Sequence, residues 1–311
     1  MKLIDYNKKI FLKLYKKRIE IKDSHEKQGY YVGYQRYFNY VLQYLNSDLV
    51  DALKTISNNK VHQKKDSKLL NHIYVMWWQG VESAPVLVQN NIARMQEIFG
   101  KDRVCIITEQ NWKQYCNLSN TIMKKFAAGK ISIAALSDII RFNLLKNYGG
   151  LWIDSTVILN NNSASLLAQF NNRDFFTISN LDEDYHYISK SKWTVWFIGG
   201  RAGYPLFEFA TAFYNKYFEK HDFLIDYYTT DDIIAYFYVN NNEFKNDISS
   251  ISYKWNPYLW SQNMYNPYKK EYIEKFKHED MYSIQKFTYK YTRANKNTLK
   301  TLLEAVINNE I

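Results

Sequence analysis

The spacing of apolar residues changes period along the chain, and each change marks an element. Near the start, Leu3, Ile4, Ile10, Phe11, Leu14 and Tyr15 recur at helical spacing on one face, with Lys8, Lys9, Lys13, Lys16 and Lys17 around it. The first 65 residues or so therefore read as helical, amphipathic and basic. IYVMWW (73–78) is a continuous apolar run of strand length, and VCIIT (104–108) is a second. The segment between them has a helical pattern opened by Pro85. Strand, helix and strand in that order predict a parallel pair. A helix follows from about Ser132 to Tyr148, closed by Gly149 and Gly150, and leads into a strand, LWI, that ends at Asp154. TVWFIGG (194–200) reads as a strand and LFEFATAFYNKYF (206–218) as a helix, whereas the Asn, Tyr and Lys content beyond residue 240 leaves no clear period.

Composition narrows the class. At 311 residues, 46% hydrophobic and 23% charged, the chain can bury a sizeable core. The expected organisation is a helical, basic segment over 1–68 and one large α/β domain over 69–311. No stretch approaches the roughly 18 uninterrupted apolar residues of a membrane span, and MKLIDYNKKI lacks the apolar core of a signal peptide, so a cytoplasmic location is expected. Cys105, in an apolar run, reads as a buried thiol; with Cys116 it makes no motif, and the six histidines show no paired ligand spacing.

The net charge of +10 is uneven. Residues 1–70 hold 15 Lys/Arg against 7 Asp/Glu, and residues 254–300 hold 10 against 4. The stretch between is slightly acidic. No RNA-recognition signature, zinc finger or basic zipper accompanies the charge, so no nucleic-acid partner is expected. Basic ends around a near-neutral middle suit a catalytic core with anion-facing borders.

Three polar residues stand where packing alone would not place them. Asp138 and Arg141 lie three apart on the apolar helix and project from one side. An exposed ion pair is the ordinary explanation for such a spacing. Asp154, however, ends an apolar strand at its carboxyl end, where open α/β sheets bind ligands. A carboxylate followed by Ser155 and Thr156 is an oxygen-rich set that suits a hard divalent cation held with a diphosphate.

In order, IYVMWWQG, the Ala84-Pro85 pair and GKISIAALSDIIRFNLLKNYGGLWIDSTV (129–157) resemble the capsular polysaccharide synthesis glycosyltransferases, relatives of yeast-type mannosyltransferases and of the large bacterial glucosylating toxins. The resemblance is dense over about 70–160 and thinner over WTVWFIGGRAGYPLF (193–207) and LIDYYTTDDIIAYFY (224–238). It implies a GT-A fold, a Rossmann-like α/β sheet that binds a nucleotide-sugar, with a helical N-terminal segment, and sugar transfer with retention of configuration.

Residue by residue, the resemblance assigns roles. Asp138 and Arg141 match an S-D-x-x-R helix that grips donor-sugar hydroxyls, and Arg141 also faces the diphosphate. Asp154 matches the first acid of a D-x-D that coordinates Mn2+ or Mg2+, with Thr156 in place of the second acid and Ser155 between them. Trp77 or Trp78 resembles an aromatic that stacks on uracil, with Gln79 beside it; only one of the pair can face a base, and core packing is the alternative for both. Asp232 matches an acid placed near the anomeric carbon, with helix capping by Asp231 or Asp232 as the alternative. Lys286, Tyr289 and Lys290 resemble a closing phosphate-binding segment, with solvated lysines as the alternative.

These assignments imply transfer of a hexose, glucose or galactose, from a UDP-sugar to a lipid-linked oligosaccharide at the inner face of a bacterial membrane. Seven basic residues against one acid over 2–18 add an expected peripheral membrane contact. A toxin-like protein glycosyltransferase and a non-catalytic basic binder of nucleic acid or anionic lipid are the competing classes.

Overall fold

A computed structural model of the protein describes residues 6–23, 30–57, 67–291 and 300–310. Leu3 and Ile4, expected on the first helix, lie outside them. The chain opens with α1 (Tyr6–Asp23) and α2 (Tyr30–Ser57), followed by β1 (Ile73–Met76), α3 (Val86–Phe99) and β2 (Val104–Ile107). Two short helices, α4 (Trp112–Tyr115) and α5 (Asn120–Ala127), lead to α6 (Ile133–Tyr148), which feeds β3 (Gly150–Ile153). Then come β4 (Val157–Leu159), α7 (Ser163–Ala168), β5 (Phe175–Thr177), β6 (Phe197–Gly200) and α8 (Pro205–Lys220). The remainder is α9 (Thr229–Asn240), α10 (Asn242–Ser249), α11 (Leu259–Gln262), α12 (Lys270–His278), β7 (Ile284–Lys286) and α13 (Leu302–Ile307).

Five strands form one mixed sheet in the order β2-β1-β3-β6-β5, and β4 pairs with β7 in a separate two-stranded sheet. The predicted β1–β2 pair is parallel, with Ile73 opposite Val104 and Met76 opposite Ile107. From β1 the chain reaches β2 on one side, while β3 lies parallel on the other. The carboxyl ends of β1 and β3 therefore share one edge, at the switch point where such sheets leave a crevice. Antiparallel β6 brings Phe197 opposite Ile153, so the residues just before β6 meet the residues just after β3.

Helix α6 is buried on several sides, through Leu136, Ile139, Ile140, Phe142, Leu144 and Leu145, as expected of a helix sandwiched between layers. The Ser132 side chain caps its start by accepting from the Ala135 N–H. Gly149 and Gly150 end it with φ of 66° and 103°, and a Cβ on Gly150 would stand 2.5 Å from the His72 carbonyl oxygen, so only glycine turns the chain this sharply here. The seven helical steps from Arg141 to Tyr148 rise about 10 Å, and the four extended steps from Gly150 to Asp154 span about 13 Å. The turn thereby sets Arg141 beside Asp154.

The basic N-terminal helices belong to the same packed body. Ile10, Leu14, Val41, Leu45 and Leu49 join one continuous core with the sheet, α6 and α8. Tyr15, expected on the buried face of α1, is 55% exposed; Ile10, Leu14 and Ile21 face inward instead. A second core cluster joins Ile158, Trp260, Phe276, Leu302 and Val306 around β4 and the C-terminal helices. Of the two free thiols, Cys116 is the buried one, and Cys105, expected inside, is only partly covered.

Candidate functional site

The crevice at the sheet edge opens into a cavity of about 1050 Å³ that reaches from the ends of β1 and β3 to α9 and the segment after β7. Trp77, Trp78, Gln79, Asp138, Arg141, Asp154, Ser155, Thr156, Lys286, Tyr289 and Lys290 all line it. Residues 77 and 290 of the sequence thus meet around one volume.

Arg141 organises its base. The residue is only 4% exposed, and its guanidinium lies 4.7 Å over the Trp152 ring. Nη1 donates to Asp138, and Nη2 donates to Asp154 Oδ1 at 3.1 Å. The exposed ion pair that such a spacing ordinarily makes is here a largely buried bridge between two carboxylates. Asp154 Oδ1 also accepts from Trp152 Nε1 at 2.8 Å, while Oδ2 accepts from Lys286 Nζ at 2.7 Å. The same ammonium donates to Thr156 Oγ1 at 2.8 Å and sits 5.5 Å from the centre of the Trp196 ring. Burial pushes the Asp154 carboxyl up, but Lys286 and Arg141 more than reverse this and hold it below the ordinary carboxylate range.

Asp138 is fixed from both sides. Thr230 Oγ1 donates to its Oδ2 at 2.6 Å. That commits the Thr230 proton, so the Tyr214 hydroxyl, 2.6 Å from the same oxygen, is the donor in a Tyr214–Thr230–Asp138 relay. Burial raises the Asp138 pKa despite the nearby Arg141 charge.

Helix α9 corrects one expectation. Asp232 is 1% exposed and is absent from the cavity wall; Asp231 lines the cavity instead. Neither caps the helix, whose N-cap Tyr228 makes no side-chain cap bond. Asp231 Oδ1 accepts from Trp193 Nε1 at 3.1 Å, and its pKa is raised to about 7, chiefly by burial and further by Asp138, against the Trp193 bond. Asp232 turns toward Asp226, where burial and the Asp226 and Asp231 charges hold its pKa well above the carboxylate range. Of the two adjacent acids it is Asp231, not Asp232, that lines the cavity, and nothing in T-T-D-D distinguishes them before the helix phase is fixed.

The two tryptophans after β1 separate. Trp78 is buried with its ring edge-on to Phe126, a packing role. Trp77 is half-buried and meets the Tyr289 ring edge-on at 5.2 Å, and among the described residues its Nε1 has no hydrogen-bond partner. Gln79 is exposed at the rim, and Lys290 lies 5.7 Å from the centre of the Tyr289 ring. Ser155 is buried, and its carbonyl oxygen accepts from Asn91 Nδ2 at 3.0 Å, which fixes the loop after β3.

The residues expected to hold a divalent cation are already committed. Both oxygens of Asp154 accept hydrogen bonds, and Lys286 occupies the space between Asp154 and Thr156. Among the described residues no group of three or more His, Cys, Asp or Glu could hold a metal ion. Asp154 and Thr156 therefore do not fit a metal site as arranged: one carboxylate beside an ammonium has no net charge to attract a dication. Thr230, Trp193 and Trp196 carry no sequence signal of their own, and Asp231 reads from the sequence only as a helix cap beside Asp232.

Fold and site together define a mixed α/β protein with a charge-paired crevice at the switch point of its sheet. The chain belongs to the capsular polysaccharide synthesis protein family, whose model matches residues 16–306. This ties it to capsular polysaccharide synthesis. No curated protein and no solved structure matches it. Among the described residues no helix is long and apolar enough to cross a membrane.

Proposed function

We propose that the protein is a retaining glycosyltransferase with a GT-A type nucleotide-sugar domain, transferring glucose or galactose from a UDP-sugar to a lipid-linked oligosaccharide acceptor in capsule assembly. The observation that carries this reading is the Asp138–Arg141–Asp154–Lys286 network at the base of a switch-point cavity, with an aromatic pair, Trp77 and Tyr289, at the cavity wall. Family membership favours it over a protein-modifying toxin and over a binder without catalysis. Ligand cavities commonly measure about 300–1,000 Å³. A volume of about 1050 Å³ leaves room for both donor and acceptor groups.

Transfer breaks the bond between the anomeric carbon and the β-phosphate oxygen, and the electron pair leaves with UDP. The acceptor oxygen attacks from the face being vacated, and its proton passes to the departing phosphate. Lys286 and Arg141 counter the charge that grows on the diphosphate, and Asp138, oriented by Arg141 and Thr230, accepts hydrogen bonds from sugar hydroxyls. Asp231, next to the Thr230 that bonds Asp138, places a carboxyl group in the cavity where it stabilises positive charge on the sugar ring or orients the acceptor hydroxyl. Trp77 offers the base an apolar ring surface. Nucleotides that bind the native state raise the melting temperature. UDP and a UDP-hexose should do so, with UDP released when acceptor is present; no shift with any nucleoside diphosphate would overturn the assignment.

A lipid-linked acceptor also requires the enzyme to work at a membrane. On α1, Leu12, Tyr15 and Ile19 are exposed large apolar residues, and Lys9, Lys16 and Lys17 are exposed beside them. This apolar stripe with a basic flank complements an anionic lipid surface, to which each Lys contributes about 1 kcal/mol. Changing Lys9, Lys16 and Lys17 together to Gln should release the protein from anionic liposomes in sedimentation, with the wild-type interaction weakening as salt rises. Equal sedimentation of the two proteins at low salt would leave α1 as a packing element only. Lys8 stays outside this test because it lines the cavity and lies 5.5 Å from the centre of the Phe223 ring.

A further inference from the structure

We propose that Lys286 takes the place of a divalent cation, so that the protein binds the donor diphosphate without metal. This rests on the nucleotide-sugar reading above. Three observations carry it.

The first is position. Lys286 Nζ stands 2.7 Å from Asp154 Oδ2 and 2.8 Å from Thr156 Oγ1, between the two oxygens best placed to ligate an ion. An ammonium has three donors. Those two contacts use two of them, and the side chain borders the cavity, where a phosphate oxygen can take the third.

The second is rigidity. Lys286 is not on a loose tail: it is paired with Val157 across the β4–β7 ladder. Its backbone N–H donates to the Pro257 carbonyl oxygen at 2.7 Å, and the Phe287 N–H donates to the Thr156 carbonyl oxygen at 3.0 Å. The strand that carries the ammonium is thus fixed to the segment that carries Asp154 and Thr156.

The third is charge. Asp138, Arg141, Asp154 and Lys286 sum to zero, because two cations balance two carboxylates. Seating a dication would require Lys286 to leave both partners, which would set an ammonium free beside the incoming positive ion. An incoming diphosphate costs nothing of that kind. Lys286 and Arg141 already border the cavity it would enter, and Lys290 lines the same cavity.

The test is titration calorimetry of the full-length protein with UDP in EDTA and in Mn2+, on the wild type and on Lys286→Met, which keeps the stem and removes the charge. The wild type should bind UDP equally well in both buffers. Loss of a charged hydrogen bond is commonly worth about tenfold or more in affinity, so the Lys286→Met variant should bind UDP at least that much more weakly in EDTA. Mn2+ bound to the wild type without nucleotide is read separately, from the loss of the free-ion electron paramagnetic resonance signal, and none should bind at this site. This measurement stands even if the variant does not fold. UDP binding to the wild type only in Mn2+, or unchanged binding by the folded variant in EDTA, would overturn the proposal while leaving the glycosyltransferase reading in place. No binding of UDP in either buffer would overturn both.

Discussion

Arg141→Ala should destabilise the fold and abolish transfer at once. Removing one member of a buried ion pair commonly costs about 3–5 kcal/mol, because the remaining charge loses its compensation in a poorly hydrated setting. Here Asp138 and Asp154 both lose their bond to a guanidinium that is 4% exposed, and only Asp154 keeps a second cation, Lys286. A surface pair at the same spacing would contribute under about 1 kcal/mol. Denaturant unfolding of the two proteins distinguishes these outcomes directly. Turnover should fall by roughly 10²-fold or more even where the variant is fully folded, because a preorganised positive group at the diphosphate is gone. A variant with near wild-type stability and turnover would show that the bridge neither supports the fold nor touches the substrate.

Asp231→Asn should remove a large share of the pH dependence of stability over one window. The folded-state pKa of Asp231 is about 7, above the ordinary carboxylate value. Between about pH 4 and 7 the folded protein holds a proton that the unfolded chain has released, so stability falls as pH rises through that range and then levels. Over the whole window the loss amounts to roughly 4 kcal/mol. Asparagine cannot ionise and keeps an oxygen for Trp193 Nε1, so the variant should be the more stable protein at pH 8 and lack this share of the slope. Asp138, Asp226 and Asp232 also titrate high, so the difference between the two melting curves, rather than either alone, reports residue 231 together with its coupling to these neighbours. Transfer should be lost in the same variant if its carboxylate faces the sugar. Full activity in a folded Asp231→Asn protein would remove the residue from the chemistry.

Legibility in the sequence followed sequence distance. Strands β1, β2, β3 and β6 and helices α3, α6 and α8 were visible because their apolar runs are continuous and their ends carry Pro or Gly. Pro85 was placed correctly, although it caps α3 rather than opening its first turn. Strands β4, β5 and β7 have three residues each, too short for any period to show. The site divides in the same way. Asp138, Arg141 and Asp154 could be grouped because one helix, one turn and one strand join them. The Lys286 contact spans 132 positions and depends on a strand pairing that no local pattern announces. Buried environment was also invisible: D-x-x-R reads alike on a wet face and in an interior, and only the layers on either side of α6 decide which it is.

The β4–β7 pairing also orders events in time. Contacts close in sequence form early, while pairings that close long loops come later and slow folding. Strands β1, β2 and β3, with α3 and α6, draw on residues 73–153 and can collapse around their own core. Only when Ile284 to Lys286 docks against Val157 to Leu159 does an ammonium reach Asp154. Without that docking Asp154 has no Lys286 partner. During refolding from denaturant, burial of Trp152 should therefore precede competence to bind a nucleotide, and the interval between them measures how long the half-built crevice persists.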